Sequence, residues 1–306
     1  MMRGARARLT PFHLLFLRSV HVFWRTHHTS IFTVSNDLNR FLQQLTSTSA
    51  ILVTVTETQG SVPRERGAWM AISLSTQFGT IGGGHLEWDA LRQCRERLAL
   101  PRAQAVAEWT QSVALGPSLG QCCGGRVQLH YEWVDERDQA SLRELLTALT
   151  SPVALFGGGH VGQAIAQALA PLPFRLRWID SRDEDLPVAP DLALLVEHSD
   201  PVHTAVAELA SGSAVLIMSF SHAEDLDIVA ACLQRLRRSN DLPFVGLIGS
   251  RTKWATFRRR LLERGYDEGE LNRITCPIGL PGIEGKEPAV IAASVVAQLL
   301  LVRSNG

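Results

Sequence analysis

Two glycine-rich runs and one cysteine pair carry the residue types and spacings suited to chemistry. In Val153-Ala154-Leu155-Phe156-Gly157-Gly158-Gly159-His160-Val161-Gly162, the residues Gly157, Gly159 and Gly162 fall on the G-x-G-x-x-G spacing. Glycines so placed allow a tight turn, close approach of a pyrophosphate and close helix–sheet packing. The helix that follows offers free N–H groups to an anion. Asp180 closes the next apolar run, 23 residues after Gly157, where an acid can accept from a ribose hydroxyl. Arg182 beside it can instead meet a phosphate. The pattern predicts a Rossmann fold. Whether NAD(P) occupies it stays open, because the fold hosts many functions. Gly82-Gly83-Gly84-His85 repeats the tetrapeptide of residues 157–160. It is either a second anion cradle or a set of turn glycines.

Cys122 and Cys123 lie in Gly120-Gln121-Cys122-Cys123-Gly124-Gly125. Zinc would require C-x-x-C or a second Cys/His pair at metal spacing, and neither is present. A thiol in a glycine-flanked loop suits a soft-metal ligand, a nucleophile or a sulfur carrier. Cys94 and Cys232 instead fall on apolar helix faces and read as structural. His222, in Ser221-His222-Ala223-Glu224-Asp225, follows a strand at the edge where open α/β sheets bind ligands. It can contact a ligand or act as a base; equally, Ser221 and Asp225 can simply cap a helix. Residues 246–253 form a further strand–glycine–helix run without the Walker A spacing. No G-x-S-x-G, H-E-x-x-H or kinase signature occurs.

The elements that must position these residues follow from periodicity. Leu38, Phe41, Leu42 and Leu45 mark a helix with Ser35 as its N-cap. Strands are expected at 50–58, 68–73, 78–82, 104–110 and 126–134, with a helix over 86–98. Residues 137–149 read as a connecting helix with Leu142, Leu145, Leu146 and Leu149 as its stripe. Beyond it, strands at 153–156, 174–179, 192–196, 214–219 and 244–248 alternate with helices at 160–170, 201–210, 225–238, 252–264 and 287–301. That alternation means a parallel sheet with crossovers. The fold class is therefore α/β. An α+β domain over 35–135 and a linker over 136–151 precede a doubly wound, Rossmann-like domain over 152–306, and residues 1–34 form an extension outside the fold. The first 36 residues hold five Arg, four His and no acid. Such a start resembles a mitochondrial presequence, but a plain extension or an upstream start codon explains it more simply.

The 306 residues suit about two domains. Thirty basic and thirty acidic residues cancel, so no global positive field points to nucleic acid. All the basic residues but Lys253 and Lys286 are Arg, a skew without chemical meaning here. Five cysteines without regular spacing exclude a disulfide framework. The thiols are expected to be reduced, which suits the cytoplasm. No apolar run reaches the roughly 18 residues of a spanning helix.

Taken together, the motifs resemble one family. Gly60-Ser61-Val62-Pro63-Arg64, Gly79-Thr80-Ile81-Gly82-Gly83-Gly84, the 115–125 loop, Gly246 to Lys253 and Cys276-Pro277-Ile278-Gly279-Leu280-Pro281-Gly282-Ile283-Glu284-Gly285-Lys286-Glu287-Pro288 are similar to the XdhC/CoxI family. Ser221 stands where the family pattern has Thr. The resemblance implies an accessory chaperone without turnover of its own. Such a chaperone binds molybdenum cofactor in its molybdopterin form and protects it. It supports sulfuration by a cysteine desulfurase and delivers the cofactor to apo-xanthine dehydrogenase. It also implies that Gln121, Cys122, Cys123, Gly82, Gly83, Gly84, Gly157, Gly159, Gly162, Asp180 and His222 form the cofactor site, with Cys122 or Cys123 available to molybdenum. A homodimer and a site between the domains, at the carboxyl edge of the parallel sheet, complete the expectation. The rival reading is an NAD(P)-dependent oxidoreductase, with His160, His222 and Lys253 as its candidate acids and bases. Sulfur transfer through Cys122 or Cys123 is a third.

Overall fold

Antiparallel pairing organises the first half of the chain and parallel pairing the second. The computed structural model describes residues 36–102, 106–116, 124–182 and 196–304. Helix α1 (Asn36–Gln44) buries Leu38, Phe41 and Leu42, with Leu45 just beyond it, which is the expected i, i+3, i+4, i+7 stripe. Ser35, its expected cap, and the 1–34 extension lie outside the described residues. Strands β1 (Ala50–Gln59), β2 (Trp69–Ile72), β3 (Gln77–Gly79), β4 (Glu108–Ala114) and β5 (Arg126–Val134) form a sheet in the order β3-β2-β1-β5-β4. Every pairing in it is antiparallel.

Strand β1 is central and covered on both faces, which is why Ala50-Ile51-Leu52-Val53 reads as a continuous apolar run. Ile51, Val53 and Val55 pack on helix α2 (Gly84–Leu98) through Leu86, Ala90 and Cys94. Leu52 packs on α1 and on helix α3 (Gln139–Ala148). Two expectations need correction. The strand expected at 104–110 lies at Glu108–Ala114, because its register is set by β5: Glu108 pairs with Glu132, and Trp109 stacks on Tyr131 at 4.5 Å. Helix α3 buries only Leu142 and Leu146, while Leu145 and Leu149 stay exposed. It packs through a narrow seam, not the broad stripe the sequence suggests.

The second sheet comprises β6 (Ser151–Phe156), β7 (Phe174–Asp180), β8 (Val196–His198), β9 (Ala214–Ile217), β10 (Phe244–Leu247) and β11 (Ile274–Thr275). Its order is β11-β10-β9-β6-β7-β8, parallel throughout. Counted from β6, this is the 3-2-1-4-5-6 order of a doubly wound dinucleotide-type sheet. Helices α4 (His160–Leu169), α5 (His222–Ser239), α6 (Arg251–Glu263), α7 (Glu268–Leu271) and α8 (Pro288–Ser304) connect and cover it. The strand expected at 192–196 appears as Val196–His198, and residues 183–195 lie outside the described set. The helix expected at 201–210 is a 3-10 turn, Val202–Glu208, which buries Val202, Ala205 and Val206. The two-residue strand β11 and the four-residue helix α7 are too short to leave a periodic signal.

The join between the halves decides what can meet. Only Leu149 and Thr150 separate α3 from β6, so the antiparallel half is tethered at the amino end of the parallel strands. A cleft of about 290 Å³ marks the contact, lined by Arg64, Trp69 and Thr80 on one side and Pro171, Pro173 and Arg303 on the other. Among the described residues, no helix is long and apolar enough to cross a membrane.

Candidate functional site at the carboxyl edge of the parallel sheet

The three glycines of the first βα turn each do a different job. Gly157 has φ +118°, and a Cβ there would lie 2.0 Å from the Met218 carbonyl oxygen on the neighbouring strand's exit. Gly162 lies one helical turn into α4, where a Cβ would meet the Gly157 carbonyl oxygen at 2.2 Å. Both are packing glycines. Gly159 differs: it is exposed, its φ of −71° suits any residue, and nothing lies within 4 Å of a Cβ placed on it. It caps α4 without a side-chain hydrogen bond, so the helix start presents N–H groups that no capping side chain satisfies. This open glycine fits a phosphate or pyrophosphate group, which needs that space and those donors.

Asp180 does not offer what the sequence suggests. It is buried, and Oδ2 accepts from the Gly158 N–H at 2.5 Å and from Arg182 Nη2 at 2.8 Å. Oδ1 accepts from the Arg182 backbone N–H and Nε, both at 2.9 Å. Burial alone would push this carboxyl up; the hydrogen bonds from Arg182 and Gly158 outweigh it and hold it below the ordinary carboxylate value. A carboxylate has about four lone-pair positions, and all are in use. Asp180 thus clamps the glycine loop to β7 and has none left for a ribose hydroxyl.

The ends of β7 and β9 lean together over β6. Ser181 Oγ donates to Glu224 Oε1 at 2.8 Å, and the Arg182 guanidinium sits 5.1 Å from the centre of the Phe220 ring. Because β6 lies between β7 and β9, both contacts span the crevice above the glycine loop. His222 opens α5 at this edge, exposed, with its ring 6.4 Å from that of Phe257. Ser221 caps the helix by accepting from the Glu224 N–H at 3.2 Å. Behind them Asp225 is buried, accepting from Ser219 Oγ at 2.7 Å and from Lys253 Nζ at 2.5 Å. Lys253 also donates to the Ile248 carbonyl at 2.9 Å. This pair locks the β9 and β10 exits together. Beside it, Gly249, Arg251, Gly279, Gly282 and Gly285 help line a cleft of about 400 Å³ at the ends of β10 and β11.

The other glycine run is occupied from within. Gly82, Gly83 and Gly84 all have positive φ, 121°, 72° and 64°. They form the kind of concave turn that collects N–H groups around an anion. The anion is Glu87: Oε2 accepts from Thr80 Oγ1 at 2.5 Å, from the Ile81 N–H at 3.1 Å and from the Gly83 N–H at 3.0 Å, and Oε1 accepts from Gln77 Nε2 at 2.7 Å. Burial opposes ionisation here, but the Thr80, Gly83, Gln77 and Ile81 bonds together hold the carboxyl below its usual value. Glu87 was not singled out from the sequence; an acid in the first turn of a helix that starts on glycines was the available signal.

Gln121, Cys122 and Cys123 lie outside the described residues. The ends of their loop pack on the β1 exit: a Cβ on Gly125 would lie 2.5 Å from the Gln59 carbonyl oxygen and 2.3 Å from that of Ser61. Gly82 similarly abuts Pro63 and Arg64. The glycine turns at 60–64, 79–84 and 124–125 therefore gather at one end of the antiparallel sheet. Arg64 and Thr80 there line the cleft against Pro171, Pro173 and Arg303, at the amino edge of the parallel sheet. Of the two arrangements expected for residues 82–84, the same subunit or a twofold mate, the single-chain fold does not bring them to the carboxyl edge. The six residues of β6 intervene, about 20 Å at 3.3 Å per residue. Among the described cysteines, burial pushes Cys94 and Cys232 up to about 12 and Cys276 up to about 11, so none is a ready thiolate. Among the described residues no group of three or more His, Cys, Asp or Glu could hold a metal ion.

An antiparallel α+β half followed by a doubly wound sheet with an open first glycine loop defines a two-part protein of the Rossmann class. A family model described as the XdhC Rossmann domain matches residues 153–299, and one described as the XdhC and CoxI family matches residues 45–108. The chain belongs to the XdhC and CoxI family. An Escherichia coli K12 protein, "Uncharacterized protein YqeB", is 25% identical over 254 residues, covering 82% of this chain and 43% of that protein. The chain thus spans less than half the length of that relative. A Bacillus halodurans protein described as a xanthine dehydrogenase has a crystal structure matching 88% of this chain and 96% of its own, with 20% identity and a TM-score of 0.65. At that identity the likeness shows the fold.

Proposed function

We propose that this chain is an accessory protein that binds molybdenum cofactor, shields it, supports its sulfuration by a cysteine desulfurase and hands it to apo-xanthine dehydrogenase. Family membership supports the accessory role. The observation that carries the choice against a dinucleotide enzyme is Asp180. The acid that the glycine-loop pattern assigns to a ribose is buried and fully engaged by Arg182 and Gly158. Lys253, one candidate acid or base of the oxidoreductase reading, is held by Asp225 and Ile248.

A phosphate-bearing pterin dithiolene requires an anion site and a soft ligand. Gly159 and the start of α4 would hold the phosphate, and Cys122 or Cys123 would supply the thiolate. The raised pKa values of Cys94, Cys232 and Cys276 support that assignment of the soft ligand. When bound, the cofactor supplies the redox chemistry of its acceptor enzyme; this chain binds, orients and excludes water. Because Gly124 and Gly125 beside the cysteines and the open loop at Gly159 sit at opposite ends of β6, a ligand drawing on a thiolate and on Gly159 takes them from two copies. That supports a homodimer, for which the loaded protein should sediment at twice the chain mass.

The test mixes cofactor-loaded protein with the matched apo-xanthine dehydrogenase and follows urate formation from xanthine. Activation is expected, with no NAD(P)H oxidation by the accessory protein alone. Cys122→Ala/Cys123→Ala should fold normally and bind the cofactor more weakly. Steady NAD(P)H oxidation with no activation would reverse the reading in favour of the oxidoreductase.

A further inference from the structure

Among the described residues, one carboxylate oxygen at the carboxyl edge has no hydrogen-bond partner. Glu224 Oε2 is sealed from solvent and meets no hydrogen-bond donor among the described residues. Its twin, Oε1, accepts from Ser181 Oγ. Leaving a buried carboxylate oxygen unsatisfied is costly, and native structures keep such groups for a reason. Glu224 stands in the first turn of α5, above the end of β6 and the open glycine loop. The neighbouring acid, Asp180, has no acceptor position left.

We infer that Glu224, not Asp180, recognises the ligand of this crevice, and that the ligand is a phosphate ester carrying paired N–H or O–H donors. The inference rests on the cofactor-binding reading above. A carboxylate accepts two parallel hydrogen bonds, and a ligand presenting two donors would satisfy Oε2 and replace Ser181 on Oε1. The 2-amino-4-oxo edge of a pterin and the vicinal diol of a ribose both have that shape. The phosphate of either meets the start of α4 at Gly159. The Ser181–Glu224 and Arg182–Phe220 contacts bridge the crevice. A ligand opens them by making the better pair with Glu224.

Calorimetric titration of the full chain separates the possibilities with two matched pairs. One is a 6-substituted pterin phosphate against the lumazine phosphate that has oxygen for the 2-amino group. The other is AMP against 2′,3′-dideoxy-AMP. Wild type is expected to prefer the pterin phosphate by about tenfold or more. Glu224→Gln should abolish that preference while leaving lumazine phosphate affinity within about twofold. Glu224→Asp, which keeps the charge but shortens the reach, should reduce it. A purely structural role would weaken both members of a pair alike. Persistence of the preference in both variants overturns the inference while leaving pterin binding, and hence the cofactor reading, intact. A Glu224-dependent preference for AMP without pterin binding upholds the inference and defeats the cofactor reading. No binding of any probe by wild type defeats both.

Discussion

The tetrapeptide Gly-Gly-Gly-His occurs twice, at 82–85 and at 157–160, each time between a strand and a helix, yet the two loops end in opposite states. In the first, all three glycines take positive φ and their concavity closes around Glu87. In the second, Gly159 has an ordinary φ and opens outward, with no side chain capping the helix. The position that holds Glu87 after the first run is Gly162 after the second. Gly162 has no side chain to reach back and instead lets α4 press onto the Gly157 carbonyl. Glu87 closes the first turn from within, whereas in the second Asp180 takes only the Gly158 N–H and leaves Gly159 open.

Substitutions break this comparison most sharply where backbone meets backbone. Gly157→Ala puts a methyl group against the Met218 carbonyl and forces a strained φ. It should cost about 4 kcal/mol and leave little soluble protein, read by thermal unfolding. Retention of wild-type stability would mean the turn can relax, and that Gly157 is not a packing residue.

Removing the internal anion comes next. Glu87→Gln loses the charge on four hydrogen bonds and should destabilise by about 1–3 kcal/mol at neutral pH. The folded-state carboxyl titrates below its ordinary value, so its stabilisation is complete at neutral pH and fades as pH falls through that lowered value. The gap in Tm between wild type and variant should therefore shrink below about pH 4. A gap independent of pH would remove the charge from the explanation.

The smallest effect on stability, and the largest on binding, belongs to Gly159→Val. A Cβ there meets nothing within 4 Å and the φ suits valine, so stability should change by no more than about 1 kcal/mol, the penalty of a poor N-cap residue. Binding of the phosphate-bearing ligand should be lost, because the added side chain fills the open space beside the loop. Unchanged affinity in the folded variant would make this loop, too, a mere turn.

Much of the architecture was legible in order and type. The alternation of apolar strand and helix runs after residue 150 implied the parallel sheet, and the spacing of Leu38, Phe41, Leu42 and Leu45 implied α1. Strand β4 was displaced because its residues alternate weakly and take their register from β5. Asp180 was found at the right place but with the wrong role. Sequence shows an acid at the end of a strand, but not that the arginine two residues on folds back to saturate it. Glu87 and Glu224 escaped notice because single acids in first turns are common, and their meaning lies in what surrounds them.

The sequence by itself determined the local geometry. Where φ must be positive only glycine serves, and where a stripe must be apolar only a few residue types do, so glycine spacing and hydrophobic period write the turns and elements directly. Tertiary structure alone decided which of those turns is free. That depends on the carboxylate each nest already holds and on the end of β6 at which it sits. Both are set by contacts between residues that no linear spacing relates: Asp180 to Gly158, Glu224 to Ser181, and Arg64 to the cleft beside Arg303.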